Sequence, residues 1–214
     1  MASKDLLSCV HTEDYPNKFI SGRINEEQRR TTGCPWSKGI VRCCRYETGG
    51  TVLAAQVAQQ RGLACSTAGG THHAFPSYGS GCCLLSHLAA AAKYLMSNSS
   101  SKRRILIVDL DVHLFYDGAC PPPVRCRQML PAFPAVTKDL YVMKAAVSRG
   151  IPVATVIGGG YSRDMDKLAL RHSIVHRAAT QLYENRRRKE VRGQYRRYYD
   201  CRCVSAIKNV FLIK

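Results

Sequence analysis

Two carboxylates and an imidazole follow a short apolar run near the middle of the sequence. Asp109, Asp111 and His113 alternate directly after RILIV, so in an extended chain their side chains would lie on one face. Oxygen and nitrogen ligands of these types suit a divalent metal such as zinc. The alternative is that Asp109 caps the next element while the other two side chains are solvated. The spacing alone leaves both interpretations open.

Two further motifs carry groups suited to moving a proton or binding a carbonyl oxygen. His72 and His73 are adjacent in the loop GGTHHAFPSYGSG, and such a pair can relay a proton when a carboxylate fixes each tautomer. Tyr161 follows Gly159 and Gly160 after a second apolar run, IPVATVI. Glycine lets the backbone approach a ligand, and a phenol can donate to an oxyanion. Taken alone, each motif is also compatible with an ordinary loop.

The elements that must position these motifs alternate between helices and buried strands. Apolar runs at 105–108 and 151–157 predict strands buried on both faces. Periodicity predicts four helices, within 51–62, 84–96, 139–150 and 168–184. The first is predicted to be capped by Thr51 after Gly49-Gly50, and the last is predicted to have Leu170 on its buried face. The predicted fold class is α/β, a parallel sheet flanked by helices, with its chemistry at the carboxyl ends of the strands.

Composition and charge limit the class of protein. The 214 residues are 45% hydrophobic, which excludes wholesale disorder. No apolar run approaches the roughly 20 residues of a membrane-spanning helix, and the start lacks a secretion signal, so we expect no membrane partner. Lys and Arg outnumber acids 32 to 15. We predict a domain over 1–185 and a disordered basic tail over 186–214. The alternative for the tail is contact with nucleic acid or an acidic partner.

Eleven cysteines are present, but their spacing is not that of a zinc finger. No Cys-x2-Cys pair occurs, whereas structural zinc sites typically use such pairs. A chain of this length without a secretion signal is expected to be intracellular and reduced. We therefore expect most of the cysteines to be small buried hydrophobic residues.

In this order, GGTHHAFPSYGSG, ILIVDLDVH and IPVATVIGGGYSRD closely resemble the motifs of the zinc-dependent histone deacetylase family. CPWSKGIVRCCRYETGGT resembles the class IV branch of that family. The resemblance runs from about residue 10 to about residue 181. It implies an incomplete arginase/deacetylase α/β fold, hydrolysis of acetyl-lysine in histones or other proteins, a bound Zn2+ ion, and a location in the nucleus with some cytoplasm.

The resemblance also implies a role for each matching residue. His73 matches the general base and acid, His72 its electrostatic partner, and Asp109 the carboxylate that orients His72. Tyr161 matches the residue that polarises the substrate carbonyl. Two of the three zinc ligands are matched by Asp111 and His113. The substrate-binding glycines are matched by Gly81, Gly159 and Gly160.

The sequence departs from the family pattern after His113. The loop that supplies the third zinc ligand is matched only by YDGAC, where Asp117 or Cys120 would have to replace the missing carboxylate. Too few residues separate His113 from Tyr161 for the intervening elements, which predicts an internal deletion around 114–138 in a truncated or mis-spliced deacetylase. Ser86-His87 also replaces the usual Asn-Asp. The alternative function is a catalytically inactive binding module that uses its basic tail.

Overall fold

The computed structural model describes residues 1–97, 104–109, 125–128, 135–159, 163–192 and 209–213. Helices and strands alternate along the chain, in agreement with the α/β prediction. In chain order they are α1 (Lys4–Ser8), α2 (Asp14–Ser21), α3 (Glu26–Thr32), α4 (Lys38–Arg61), β1 (Leu63–Cys65), α5 (His87–Ser97), β2 (Ile105–Asp109), β3 (Arg125–Gln128), α6 (Ala135–Val147), β4 (Val153–Val156), α7 (Met165–Arg192) and β5 (Asn209–Ile213).

The five strands form one sheet in the order β1-β4-β5-β2-β3. The predicted parallel pairing is present twice, between β1 and β4 and between β2 and β3. The inserted β5 runs antiparallel to both of its neighbours, which the prediction of a parallel sheet did not include. An antiparallel strand within a mostly parallel sheet is a common variation.

The basic tail is more ordered in two places than expected. α7 continues to Arg192, through a stretch rich in Arg, Lys and Glu, which are good helix formers. β5 is the apolar run NVFLI, and such a run suits a strand between two others. These two segments of the predicted tail therefore have regular secondary structure, and residues 193–208 lie outside the described part of the chain.

Helices cover both faces of the sheet and bury two apolar clusters. Ile105 and Ile107 of β2 and Val156 of β4 pack with α4 and α5 on one face. Val108 of β2 and Val153 of β4 pack with α6 and α7 on the other. Because successive side chains of a strand point to opposite faces, both predicted strands are buried on two sides. The fold is a three-layer α/β arrangement.

The helix α4 runs without interruption through Gly49 and Gly50. The prediction that a new helix is capped by Thr51 was wrong, since Ser37 caps α4 by accepting from the backbone of Ile40. The hydroxyl of Thr51 instead donates within the helix to Glu47 O at 3.0 Å. A Cβ on Gly49 would lie 3.1 Å from the backbone nitrogen of Ala2. Glycine therefore permits close packing against the N-terminal segment, a tertiary contact that local sequence does not reveal.

The buried face of α7 begins later than predicted. Ile174 and Ala178 are buried as expected, but Leu170 is 49% exposed. Val175, Ala178 and Ala179 of α7 belong to the apolar cluster with α6 and the sheet, whereas Met165 in the first turn is exposed. No helix in the described part of the chain is long and apolar enough to cross a membrane.

Seven cysteines of the described part of the chain are free thiols: Cys9, Cys34, Cys43, Cys44, Cys65, Cys82 and Cys83. Cys83 alone among them is buried, while Cys44 is partly buried, and burial raises the pKa of the Cys44 thiol to about 12. Among these seven, the expectation of a buried cysteine therefore holds fully for Cys83 and partly for Cys44, whereas Cys9, Cys43 and Cys82 are exposed.

Candidate active site

A buried histidine–carboxylate pair lies at the carboxyl end of β2. The Nε2 atom of His72 is 3.3 Å from Oδ2 of Asp109, and their side chains are 4% and 0% exposed. On the other side of the ring, Nδ1 lies 3.0 Å from Gly70 O. A carbonyl oxygen only accepts, so Nδ1 carries a hydrogen. Nε2, on the opposite side of the ring, is the nitrogen that faces the Asp109 carboxyl group.

The second histidine lies directly beside this pair. The rings of His72 and His73 have centroids 4.2 Å apart and planes inclined by 44°. His73 is less buried than His72. Gly81 lies close to the His73 ring, since a Cβ on Gly81 would be 3.8 Å from three of its side-chain atoms. The structure thus brings together four residues that were predicted as one site from separate motifs: His72, His73, Gly81 and Asp109.

The loop that carries the histidines is held at both ends by backbone contacts. The Thr71 hydroxyl donates to Leu85 O at 2.6 Å, and the His87 N–H donates to Thr71 O at 3.1 Å. Ser66 N–H donates to Thr155 O of β4 at 2.8 Å. These hydrogen bonds connect the loop to the start of α5 and to the sheet, and they fix the backbone position from which the two imidazole rings project.

Gly70 and Gly158 let two loops approach each other above β4. A Cβ on Gly158 would lie 2.6 Å from Gly70 O, and a Cβ on Gly70 would lie 2.8 Å from Ile157 O. Gly70 also has φ +91°, in the region that favours glycine. Sequence analysis assigned the glycine run to ligand binding, whereas Gly158 serves the contact between loops. No local signal identifies this role, because the partner is far away in sequence.

His172 holds the loop that leads towards Tyr161. Its Nε2 lies 3.3 Å from Gly159 O, across thirteen residues, and Gly159 has φ +69°. Because a carbonyl can only accept, the ring donates this bond. Sequence analysis did not single out His172 as a site residue. In the sequence His172 was marked only by its place in the helix predicted over 168–184.

His11 is a second histidine that the motifs did not identify. Its Nδ1 lies 3.0 Å from Phe75 O and 3.2 Å from Pro76 O, while Nε2 accepts from Ser86 N–H at 3.1 Å. The neutral tautomer with hydrogen on Nδ1 satisfies all three contacts. Burial lowers the pKa of His11, although the two carbonyls partly oppose that effect. His11 thus fixes the far end of the histidine loop.

His87 is fully enclosed at the start of α5. Its side chain is 1% exposed, and neither ring nitrogen finds a hydrogen-bond partner within the described ranges. Burial, aided by nearby His11, lowers the pKa of His87 to about 3. The ring is therefore neutral at physiological pH, and it occupies a position where the resembled family usually has an aspartate.

The remaining predicted site residues lie outside the described residues: Asp111, His113, Asp117, Cys120, Gly160 and Tyr161. Within the described ranges no three His, Cys, Asp or Glu side chains converge as metal ligands. The donor types of Asp111 and His113, a carboxylate oxygen and an imidazole nitrogen, fit zinc. They follow Asp109, the last residue of β2, by two and four residues in the sequence.

Comparison with known proteins gives one family. The family model of the histone deacetylase domain matches residues 1–115. An uncharacterized protein of Picosynechococcus sp. is 32% identical over 83% of this chain and 82% of its own length. Histone deacetylase 1 of Homo sapiens is 32% identical over 52% of this chain. A crystal structure of an HDAC homolog from Aquifex aeolicus is 32% identical over 53% of this chain, with a TM-score of 0.45.

The chain spans only part of the two named deacetylase relatives. It covers 25% of Histone deacetylase 1 and 32% of the Aquifex aeolicus chain. The family match includes His72, His73, Gly81, Asp109, Asp111 and His113, because it ends at residue 115. It ends before Gly159, Gly160 and Tyr161.

Proposed function

Because the chain belongs to the histone deacetylase family, we propose that it hydrolyses the acetyl-lysine amide with the aid of zinc. The proposed substrates are acetylated histones or other acetyl-lysine proteins, and the proposed location is the nucleus with some cytoplasm. Within the family we assign the chain to the class IV branch, on its own motifs. The fold is a partial arginase/deacetylase α/β fold.

The pair of His72 and Asp109 is the single observation that carries this proposal. A carboxylate with no exposed surface that faces a buried imidazole at 3.3 Å is costly unless the two groups compensate each other. His72 is thereby held in one orientation beside His73. His73, the more exposed ring, takes the proton from the attacking water and returns it to the leaving lysine nitrogen. His72 and Asp109 are positioning residues for that transfer.

Asp111 and His113 would hold the metal. Bound there, zinc would supply Lewis acidity that lowers the pKa of a water molecule. The third protein ligand is unidentified, with Asp117 and Cys120 as the candidates in sequence. On the opposite side of the substrate, Tyr161 would donate a hydrogen bond to the carbonyl oxygen, while Gly81 and the loop at Gly159 and Gly160 would line the substrate.

Acetate release from an acetyl-lysine peptide by the full chain with added zinc tests this proposal. In Asp109→Asn we expect kcat to fall by about 10²-fold or more with little change in KM, because general acid–base catalysis contributes roughly 10²–10⁴-fold. Asp164→Asn is the matched control. Asp164 is a partly exposed carboxylate that contacts Lys167 at 3.0 Å, and its substitution should leave kcat unchanged.

Two results would contradict the proposal. The first is equal kcat in Asp109→Asn and Asp164→Asn, which would separate the buried pair from the chemistry. The second is absence of turnover by folded wild-type chain with zinc bound. In that case the alternative of an inactive binding module would become the better account.

A further inference from the structure

The C-terminal strand β5 joins two halves of the sheet. β5 pairs with β2 over Ile105–Asp109 and with β4 over Val153–Val156. In the described sheet, β5 lies between β2 and β4. On the side away from β5, β2 pairs with β3 and β4 pairs with β1. The parallel pairs β1–β4 and β2–β3 are therefore connected through backbone hydrogen bonds to a segment of only five residues, Asn209–Ile213.

β5 begins at the edge of the sheet that carries the candidate active site. Asn209 is in register with Asp109 on one side and with Val156 on the other. Asp109 is the carboxylate that faces His72. Val156 is the last residue of β4, directly before the loop of Gly158 and Gly159. The first residue of β5 thus lies in the same row as the two strand ends from which the site is built.

The histidine loop spans the gap that β5 creates. His72 faces Asp109 at the end of β2, while Gly70, two residues earlier, is in close contact with Gly158 beyond the end of β4. Neighbouring strands lie about 4.8 Å apart, so β2 and β4 are about 10 Å apart with β5 between them and would be about 5 Å apart if paired directly. Without β5 between them, the ends of β2 and β4 that carry these two contacts would lie about 5 Å closer together.

We infer that β5 is a spacer that sets the distance between Asp109 and the loop of Gly158 and Gly159. This inference deepens the proposed function, because the spacing belongs to the site proposed for deacetylation. The residues 193–208 connect α7 to β5, and sixteen residues can extend about 50 Å, which is enough to reach the middle of the sheet. The run NVFLI suits a strand with a partner on each side.

The first test is amide hydrogen exchange in the wild-type full chain. As a central strand, β5 should protect its amides within about tenfold of the amide of Ile107 in β2, since both lie in the same ladder. Exchange at Val210–Leu212 as fast as in an unfolded chain would overturn the inference. This readout requires neither zinc nor turnover, so it stands apart from a failure of the proposed function.

The second test changes the spacer and follows the site. In Val210→Pro, proline removes a backbone donor from the ladder and should disrupt β5. Val210→Thr is the matched control, since threonine is β-branched and keeps every backbone donor. In Val210→Pro we expect the ring NMR signals of His72 to split or broaden instead of giving a single set of chemical shifts. The signals of His11 should keep their chemical shifts, because this ring contacts Phe75, Pro76 and Ser86.

Unchanged His72 signals in Val210→Pro would contradict the inference, as would an equal change in Val210→Thr. If Val210→Pro unfolds the chain, Val210→Gly replaces it, because glycine keeps the backbone donor and weakens a strand by only about 1 kcal/mol. The same selective loss at His72 is expected there to a smaller extent. A change at His11 as large as that at His72 in Val210→Gly would also overturn the assignment.

Discussion

Replacing buried His87 by leucine is expected to make the chain more resistant to acid. The His87 ring is 1% exposed, and both ring nitrogens are without hydrogen-bond partners among the described residues. Leucine has a similar volume and no polar atoms. Unsatisfied buried polar groups cost about 1–3 kcal/mol each. His87→Leu should therefore not destabilise the chain at pH 7 by more than about 1 kcal/mol, and it should stabilise the chain if the leucine side chain fills the space of the imidazole.

The pH dependence follows from the lowered pKa. Burial brings the pKa of His87 to about 3, from an ordinary 6.5. Above pH 6.5 the ring is neutral in both states, so its contribution to stability is fully present. As the pH falls below 6.5, the unfolded chain binds a proton that the folded chain does not. Stability is then lost by roughly one kcal/mol or slightly more for each pH unit down to about pH 3.

Urea unfolding measured by circular dichroism at several pH values between 7 and 4.5 tests this expectation. The difference in unfolding free energy between His87→Leu and wild type should grow by roughly one kcal/mol or slightly more for each pH unit below pH 6.5. His176→Gln is the control, because His176 is only partly buried and its substitution should give a smaller slope. A difference that stays constant from pH 7 to pH 4.5 would refute the reasoning.

Three further expectations concern the loops and the tail. Gly158→Ala should destabilise the chain by about 1–3 kcal/mol in urea unfolding, because its Cβ would lie 2.6 Å from Gly70 O. The control Gly39→Ala, with only an ordinary contact at 3.5 Å, should be neutral or stabilising. Equal changes in unfolding free energy for the two variants would contradict the loop contact. His172→Ala, which removes the bond to Gly159 O, should lower kcat more than it raises KM in the acetate assay, and a pure KM effect would exclude a positioning role. If the basic tail contacts nucleic acid, binding of a DNA duplex measured by fluorescence anisotropy should weaken steeply with salt and with replacement of the basic residues at 186–189 by glutamine. Salt-insensitive binding would rule out the tail as the contact.

Sequence patterns predicted the elements that depend on local periodicity. The apolar runs of β2 and β4 are buried on both faces, as their composition predicted. The meeting of His72, His73 and Asp109 at one strand end was expected from the family resemblance and not from periodicity. The roles of these residues came from resemblance to a family and stay predictions. The geometry supplies what the motif lacks, namely the enclosure of Asp109 and the two contacts of the His72 ring.

The features that sequence did not predict depend on contacts between distant residues. Gly49 looked like a helix boundary, yet it lies within α4 because its missing side chain admits Ala2. β5 was assigned to a disordered tail, since the basic residues before it outweighed a short apolar run and its partners β2 and β4 are far away in sequence. His11 and Gly158 likewise owe their places to loops that lie more than sixty residues away.

Zinc-dependent turnover is the most direct test of the central claim. The full chain is stripped of metal by a chelator, checked for folding by circular dichroism, and assayed for acetate release from an acetyl-lysine peptide before and after one equivalent of zinc is added. We expect no turnover without metal, recovery of turnover with zinc, and no recovery in His113→Ala. Folded, zinc-loaded chain that releases no acetate, or acetate release that persists after chelation, would contradict the claim.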